Sequence, residues 1–377
     1  MSAASESAMG RICVAVSPGE HRVAVVRGDA LIDFAVHRPG APDGVGSLYL
    51  GRVIARMPAM AGAFVALGYA DGFLPDSEGG VAAASGLVMP VRITRAAQGG
   101  KGPRLTARVP AEDFALARRA SGATLVRRGP DALHRMAALH PDAAIMIDDI
   151  SLLPALRAAF GERVRLASPV FDDEIAAAVE ALASPAVALP GGGRLTIQPV
   201  AALTAIDVDL GSATGDRRAK GAAQIAANRA LMPVLAAQIR LRNLGGAIVV
   251  DLAGMALKRR AALGPELAAC LLDDPLGARF LGFSALGLAE ILRPRIYPPL
   301  HEVLAGPHAA GLAALRAVAA ASAATPSWPP AMRASAAIAS ALQSDPGARA
   351  DLAARAGRKL VVLTDHHLPT CGWRLEE

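Results

Sequence analysis

Two short stretches of the chain carry acidic residues in positions suited to chemistry. Leu203-Thr204-Ala205-Ile206-Asp207-Val208-Asp209 has the pattern of a strand. Side chains two apart leave a strand on one face, so Asp207 and Asp209 project together. Ala247-Ile248-Val249-Val250-Asp251 follows a Gly245-Gly246 turn and ends an apolar strand on a carboxylate, where polar side chains stand above a sheet. Carboxylates brought together repel, by up to ~4 kcal/mol for a pair about 4 Å apart at an effective dielectric of about 20. A hard divalent cation removes that cost. Oxygen donors without a nearby His or Cys suit Mg²⁺ or Mn²⁺ rather than Zn²⁺. On spacing alone, the alternative is that each aspartate caps a turn or pairs with an arginine such as Arg217 or Arg242.

The elements that must carry these groups change in kind along the chain. Ile12-Cys13-Val14-Ala15-Val16 and Val23-Ala24-Val25-Val26, parted by Ser17-Pro18-Gly19, predict a hairpin. From about Gly46 to Val109 the pattern is of short strands with glycine-containing connections: Leu48-Tyr49-Leu50, Arg52-Val53-Ile54-Ala55, Ala63 to Leu67, Gly72-Phe73-Leu74, Val91-Arg92-Ile93 and Arg104-Leu105-Thr106. Such a block suits a small barrel of the OB type. After Ala143 the period switches. Ala144 to Ile147 predicts a buried strand, Asp148 and Asp149 an N-cap, and Leu152 to Phe160 a helix stopped by Gly161. A long helix is expected from about Ala222 to Arg242, kinked at Pro233. Lys258-Arg259-Arg260, following Asp251, reads by default as an exposed helix start, with contact to a phosphate backbone near the aspartates as the alternative. Pro326, Pro329 and Pro330 interrupt an Ala-rich stretch before a last strand at Lys359 to Leu363. Together these blocks predict a multidomain α/β protein.

Composition narrows the setting. The 377 residues allow two or three domains. Three cysteines (Cys13, Cys270, Cys371), none in a C-x-x-C pair, give no disulfide framework and no zinc-finger spacing, as in a reducing compartment. Met1 to Ser7 has no basic-then-apolar leader, and Pro, Arg or Asp breaks every long Ala/Leu run, so a soluble cytoplasmic protein without membrane spans is expected. Net charge is +6, and all but four of the 39 basic side chains are arginines, which suit phosphate although a GC-rich codon bias produces them too. Gly191-Gly192-Gly193 reads as a hairpin turn because no Gly-Lys-Ser/Thr follows to make a phosphate loop.

The aspartate segment, with Asn228 and with Gln238-Ile239-Arg240-Leu241-Arg242-Asn243-Leu244-Gly245-Gly246 leading into Asp251, resembles the catalytic segment of the ribonuclease E/G family. Gly51-Arg52-Val53, Ala63-Phe64-Val65, Gly72-Phe73-Leu74-Pro75 and Lys101 to Thr106 resemble that family's OB-fold RNA-binding domain, and Leu286 to Arg293 also fits. These pieces fall in family order over about residues 10 to 300.

The resemblance implies a Mg²⁺-dependent endoribonuclease for single-stranded RNA, leaving a 5′-phosphate and a 3′-hydroxyl. It implies an RNase-H-like fold (1–44 and 139–183) interrupted by an OB-fold barrel (45–109) and a reduced 5′-sensor segment (110–138). A deoxyribonuclease-I-like catalytic domain (184–300) and a small C-terminal domain (301–377) follow. Asp207 and Asp251 fall on the metal-holding aspartates. Asp209 stands where the family usually has an Asn that orients the first aspartate; an ionised Asp accepts but does not donate, so coordination of the cation is the role left to it. Phe64 and Phe73 match aromatics that stack on bases, and Lys101 a basic contact. Arg52, Arg56 and Arg104 become candidates for tracking phosphates. Arg127, in Val126-Arg127-Arg128-Gly129, is the counterpart of the 5′-phosphate sensor without its threonine. The C-P-x-C zinc link expected near His301 to Gly311 has no counterpart, so neither zinc nor a zinc-linked dimer is expected. The competing expectation is an RNA-binding protein of the same family with weak or lost cleavage.

Overall fold

The computed structural model describes residues 10–189, 192–211, 220–252, 254, 257–325 and 331–376. The expectations for Met1 to Ser7, Gly191, Arg217, Pro326, Pro329 and Pro330 lie outside the described residues.

Strands β1 (Arg11–Ser17), β2 (Glu20–Arg27) and β3 (Ala30–His37) form an antiparallel meander. Its first turn rests on Gly19, whose φ of +73° is left-handed backbone open to glycine. The third strand carries no clear alternation in sequence and adds to the predicted hairpin.

β4 (Leu48–Met57), β5 (Gly62–Ala66), β6 (Asp71–Pro75), β7 (Val88–Arg95) and β8 (Arg104–Thr106) close on themselves, because β4 pairs with both β5 and β7; β9 (Thr124–Arg127) joins β4. A closed five-stranded barrel of this kind is compatible with an OB fold. Val53, Ala63, Val65, Leu74, Val91 and Leu105 fill it. The two short strands expected at Leu48–Leu50 and Arg52–Ala55 are one continuous strand. Gly51 reads as a break in sequence, yet a Cβ there would lie 2.5 Å from Val65 Cγ1, so crowding inside the barrel requires it.

After α1 (Ala111–Ala117) and α2 (Ala132–Leu139), strands β10 (Ala144–Ile147) and β11 (Val164–Leu166) flank α3 (Leu153–Phe160) and add in parallel beside β1, giving the order β11-β10-β1-β2-β3. Asp148 and Asp149 do not cap α3 as expected. Asp148 Oδ1 accepts from Val16 N at 2.8 Å, tying β10 to β1, and Asp149 Oδ1 accepts from Ser151 N at 2.7 Å, one turn before the helix.

α4 (Asp173–Ala181) leads to a second sheet. β12 (Ala186–Ala188), β13 (Arg194–Pro199) and β14 (Leu203–Asp209) run antiparallel, α5 (Lys220–Leu241) crosses over, and β15 (Gly246–Asp251) returns parallel to β14. Past α6 (Gly264–Leu271), β16 (Arg279–Phe283) and β17 (Ala289–Arg293) complete the order β12-β13-β14-β15-β17-β16. Ile206, Leu235, Ile239, Ile248, Val250 and Leu267 form its core. α5 continues as helix through Pro233. The chain closes with α7 (Gly306–Ala324), β18 (Ala331–Ala334), α8 (Ala336–Gln343), α9 (Pro346–Ala356), β19 (Val361–Thr364) and β20 (Trp373–Leu375), the strands ordered β19-β18-β20 over Leu312, Leu315, Val318 and Met332.

Contacts divide the chain into two compact units. Met1–Pro42, Asp131–Ala183 and Leu300–Glu377 make one, and Asp43–Pro130 with Ser184–Pro299 the other. The barrel and the six-stranded sheet with both aspartates belong to the second. Among the described residues no helix is long and apolar enough to cross a membrane.

Candidate metal centre and nucleic-acid interface

The parallel pairing of β14 with β15 sets Asp207 opposite Asp251 in register. Neighbouring strands lie about 4.8 Å apart, so two carboxylates leave one face of the sheet side by side. Register pairing also puts Thr196 of β13 beside Asp207, extending a polar row across three strands. Both aspartates are exposed, and the apolar residues before them, Ile206 and Val250, anchor the strands at 1% and 0% exposure. The sheet therefore fixes the two backbones while water reaches both carboxylates.

Three further observations define this centre. Asp251 Oδ1 accepts from Arg260 Nη1 at 2.9 Å, and the same nitrogen donates to Gly287 O at 2.7 Å. Asp209 Oδ1 accepts from Gly211 N at 2.8 Å, a turn contact that Asp and Asn make equally well. Among the described residues no three His, Cys, Asp or Glu side chains gather closely enough to hold an ion. The register therefore places two carboxylates, Asp207 and Asp251, side by side among the described residues. A pair of hard oxygen donors, exposed and in register, fits a divalent cation that keeps several waters, as Mg²⁺ does. Arg242, the other partner considered for the aspartates, is buried and donates to Gln238 Oε1 and Ser184 O instead.

On the barrel, Phe64 of β5 and Phe73 of β6 are register partners, half-buried, with ring centroids 5.5 Å apart in an edge-to-face arrangement. They lie on the outer face, since Ala63, Val65 and Leu74 between them point inwards at 0% exposure. Gly62 makes room for the pair: a Cβ there would come 2.4 Å from Phe73 Cζ. Lys101 is exposed at the end of a Gln98–Lys101 turn, and the strand that follows runs beside β6, with Phe73 N donating to Pro103 O at 2.8 Å. Of the three arginine candidates, Arg56 is tied to Asp76 at 3.1 Å, Arg52 is exposed, and Arg104 pairs in register with Phe73. Arg127 ends β9 with its Nη2 on Asp113 Oδ1 at 2.6 Å, and Arg92 holds the other oxygen of that buried carboxylate.

Residues 146–296 match the Ribonuclease E/G family. Ribonuclease E of Synechocystis is 34% identical over 124 residues, 33% of this chain and 18% of the relative. Ribonuclease G of Escherichia coli K12 is 35% identical over 143 residues, 36% of this chain and 28% of the relative. Ribonuclease E of Nostoc is 33% identical over 138 residues, 36% of this chain and 20% of the relative. Through this segment the chain is similar to the ribonuclease E/G family. It spans less than a third of the length of the curated relatives it matches.

The matched segment holds both register-paired aspartates, whereas the barrel precedes it. Two features of this chain are not legible in its sequence. One is the arginine on Asp251: instead of facing solvent at a helix start, the Arg260 side chain is 12% exposed. The other is a cavity of about 420 Å³ that brings Arg95 and Arg104 of the barrel together with Arg279, Arg293 and Arg295 of the sheet. Arg95 ends an apolar alternation and Arg295 follows a proline, and neither position signals the other without the tertiary fold.

Proposed function

We propose that the chain is a divalent-metal-dependent endoribonuclease acting on single-stranded RNA in RNA processing or decay. The observation that carries this is the register pairing of two exposed aspartates inside the family-matched segment. In this reading Asp207 and Asp251 hold the cation, Mg²⁺ or Mn²⁺, one carboxylate from each strand. Bound there, the cation neutralises phosphate charge and supplies an activated water, and the products carry a 5′-phosphate and a 3′-hydroxyl. Arg260 fixes the Asp251 carboxylate by its 2.9 Å hydrogen bond and adds positive charge beside the reacting phosphate. Asp209 shapes the turn at Gly211 and lies two residues beyond Asp207 on the same strand, from where it would reach a bound cation through water.

The barrel supplies affinity. Phe64 and Phe73 stack on bases, which tolerates any sequence, while Lys101 reaches phosphates from the neighbouring turn. Arg127 grips phosphate less freely than a bare sensor would, because Asp113 already engages it. In domain terms we read 1–44 and 139–183 as the two parts of an RNase-H-like fold, 45–109 as the OB domain, 110–138 as a reduced sensor, 184–300 as deoxyribonuclease-I-like and 301–377 as a small closing domain. Three free cysteines suit a reducing compartment, and the cytoplasm is the setting we assign. Nothing in this scheme calls for zinc.

The test is cleavage of an internally labelled single-stranded RNA by the full chain in Mg²⁺ and in EDTA, with Asp207→Asn and Asp251→Asn alongside. Metal-dependent products that fall at least about 10³-fold in both variants are expected, since the cation is asked for several kcal/mol. RNA bound but uncut with every divalent metal would instead establish the family member as a binder that has lost turnover.

A further inference from the structure

The cavity between barrel and sheet is built for an anion. Arg95, Arg104 and Arg295 converge there, and among the described residues none of the three is ion-paired. Arg95 Nε is buried without an acceptor. Burial, with Arg104 and Arg295 close by, lowers the Arg95 pKa from its ordinary value, yet a guanidinium stays charged. Three like charges held together and one orphaned donor lack a negative partner. Their positions are fixed by backbone: Ala96 N donates to Ile296 O at 2.9 Å, locking the residue after Arg95 to the residue after Arg295. Arg295 lies flat over Gly246, where a Cβ would meet its Nε at 2.2 Å, and Nε donates to Gly245 O at 3.1 Å. Only a glycine, here at φ +88°, leaves room for that guanidinium.

The cavity also continues the aromatic pair. Registers run Phe64 to Phe73, Phe73 to Arg104, and Arg104 to Arg95 across β5, β6, β8 and β7. Two stacking rings and two guanidiniums therefore follow one another along the outer face, about 4.8 Å per strand. Gly246 opens β15 and Asp251 ends it, so the arginines stand at the other end of that strand, roughly 16 Å from the aspartates at about 3.3 Å per residue.

We propose that this cavity is a phosphate subsite in which Arg95, Arg104 and Arg295 take backbone phosphates of the strand whose bases stack on Phe64 and Phe73, away from the scissile position. The subsite rests on the RNA reading above. It supplies affinity and not chemistry. A phosphate-bearing small molecule has the same chemistry, and the test separates the two.

The test uses the full chain with Arg95→Gln, Arg104→Gln and Arg295→Gln, and Arg349→Gln on α9 as a charge-matched control. Affinity for a short fluorescent single-stranded RNA is measured across a salt series, and inorganic pyrophosphate is titrated calorimetrically. Each pocket variant is expected to bind RNA more weakly, with the slope of log K against log salt reduced by about 0.7 for each phosphate no longer neutralised, while the control keeps the slope. Arg95→Lys, which retains the charge in a less demanding shape, is expected to recover most of the slope, so a loss through unfolding alone is excluded. Slopes unchanged in all three variants, without pyrophosphate binding, overturn the subsite. Unchanged slopes with pyrophosphate binding that the variants abolish overturn the strand assignment in favour of a small phosphate compound. RNA held with an arginine-dependent slope but never cut supports the subsite and sinks the nuclease reading separately.

Discussion

Arg293 is 2% exposed, and its guanidinium is saturated. Nε lies 3.0 Å from both oxygens of Asp274, Nη1 donates to Asn243 Oδ1 at 2.7 Å and to Leu244 O at 3.1 Å, and Asp274 accepts in turn from Leu276 N and Ala278 N. Asn243 sits at φ +47°, a left-handed helix end that asparagine tolerates, and its Nδ2 donates to Tyr297 O and Pro298 O. One buried ion pair thus ties the end of α5, the start of β15 and the exit of β17 together, and so holds the strand that carries Asp251. Removing one partner of such a pair strands the other charge. Asp274→Ala is expected to cost about 3–5 kcal/mol in urea unfolding, and a loss below about 1 kcal/mol would show that the pair does not hold the sheet. The sequence offers Arg293 and Asn243 as polar residues beside apolar runs, with nothing to say that they meet.

At the scale of the element, alternation does most of the positioning. Ala63-Phe64-Val65 and Gly72-Phe73-Leu74 place small and aliphatic side chains inside the barrel and the two rings outside, so Phe64 adds little to the core. Phe64→Ala is accordingly expected to weaken single-stranded RNA binding by roughly 1–3 kcal/mol in a fluorescence titration while leaving the unfolding midpoint in place. A variant that unfolds would return the ring to the core. The same alternation explains what is legible in the sequence. Apolar runs in Ile12 to Val16, Ala144 to Ile147 and Ala247 to Val250 mark strands because the first is buried on both faces and the other two bury alternate residues, Ile145 and Ile147, Ile248 and Val250. Gly51 misleads because a glycine demanded by close packing looks the same in sequence as one that breaks a strand. Asp148 and Asp149 mislead because their hydrogen bonds go to another strand and to a turn, not to the helix that follows. Asp207 and Asp251 can each be placed at a strand end, but their register depends on sheet order, and order is set by the α5 crossover rather than by spacing.

At the scale of the molecule, the family match covers residues 146–296 and so runs from one compact unit into the other. The barrel, the aspartate sheet and the arginine cavity all lie in the unit made of Asp43–Pro130 and Ser184–Pro299. The proposed binding and chemistry would thus fall in one body, and five of the chain's arginines line its cavity. In the proposed function Asp207 and Asp251 share one ion between two neighbouring strands. Titration of the full chain with Mn²⁺, followed by electron paramagnetic resonance and by competition with Mg²⁺, tests it directly. One ion per chain is expected, displaced by Mg²⁺ and lost equally in Asp207→Asn and Asp251→Asn. Unaltered Mn²⁺ binding in either variant would contradict the account.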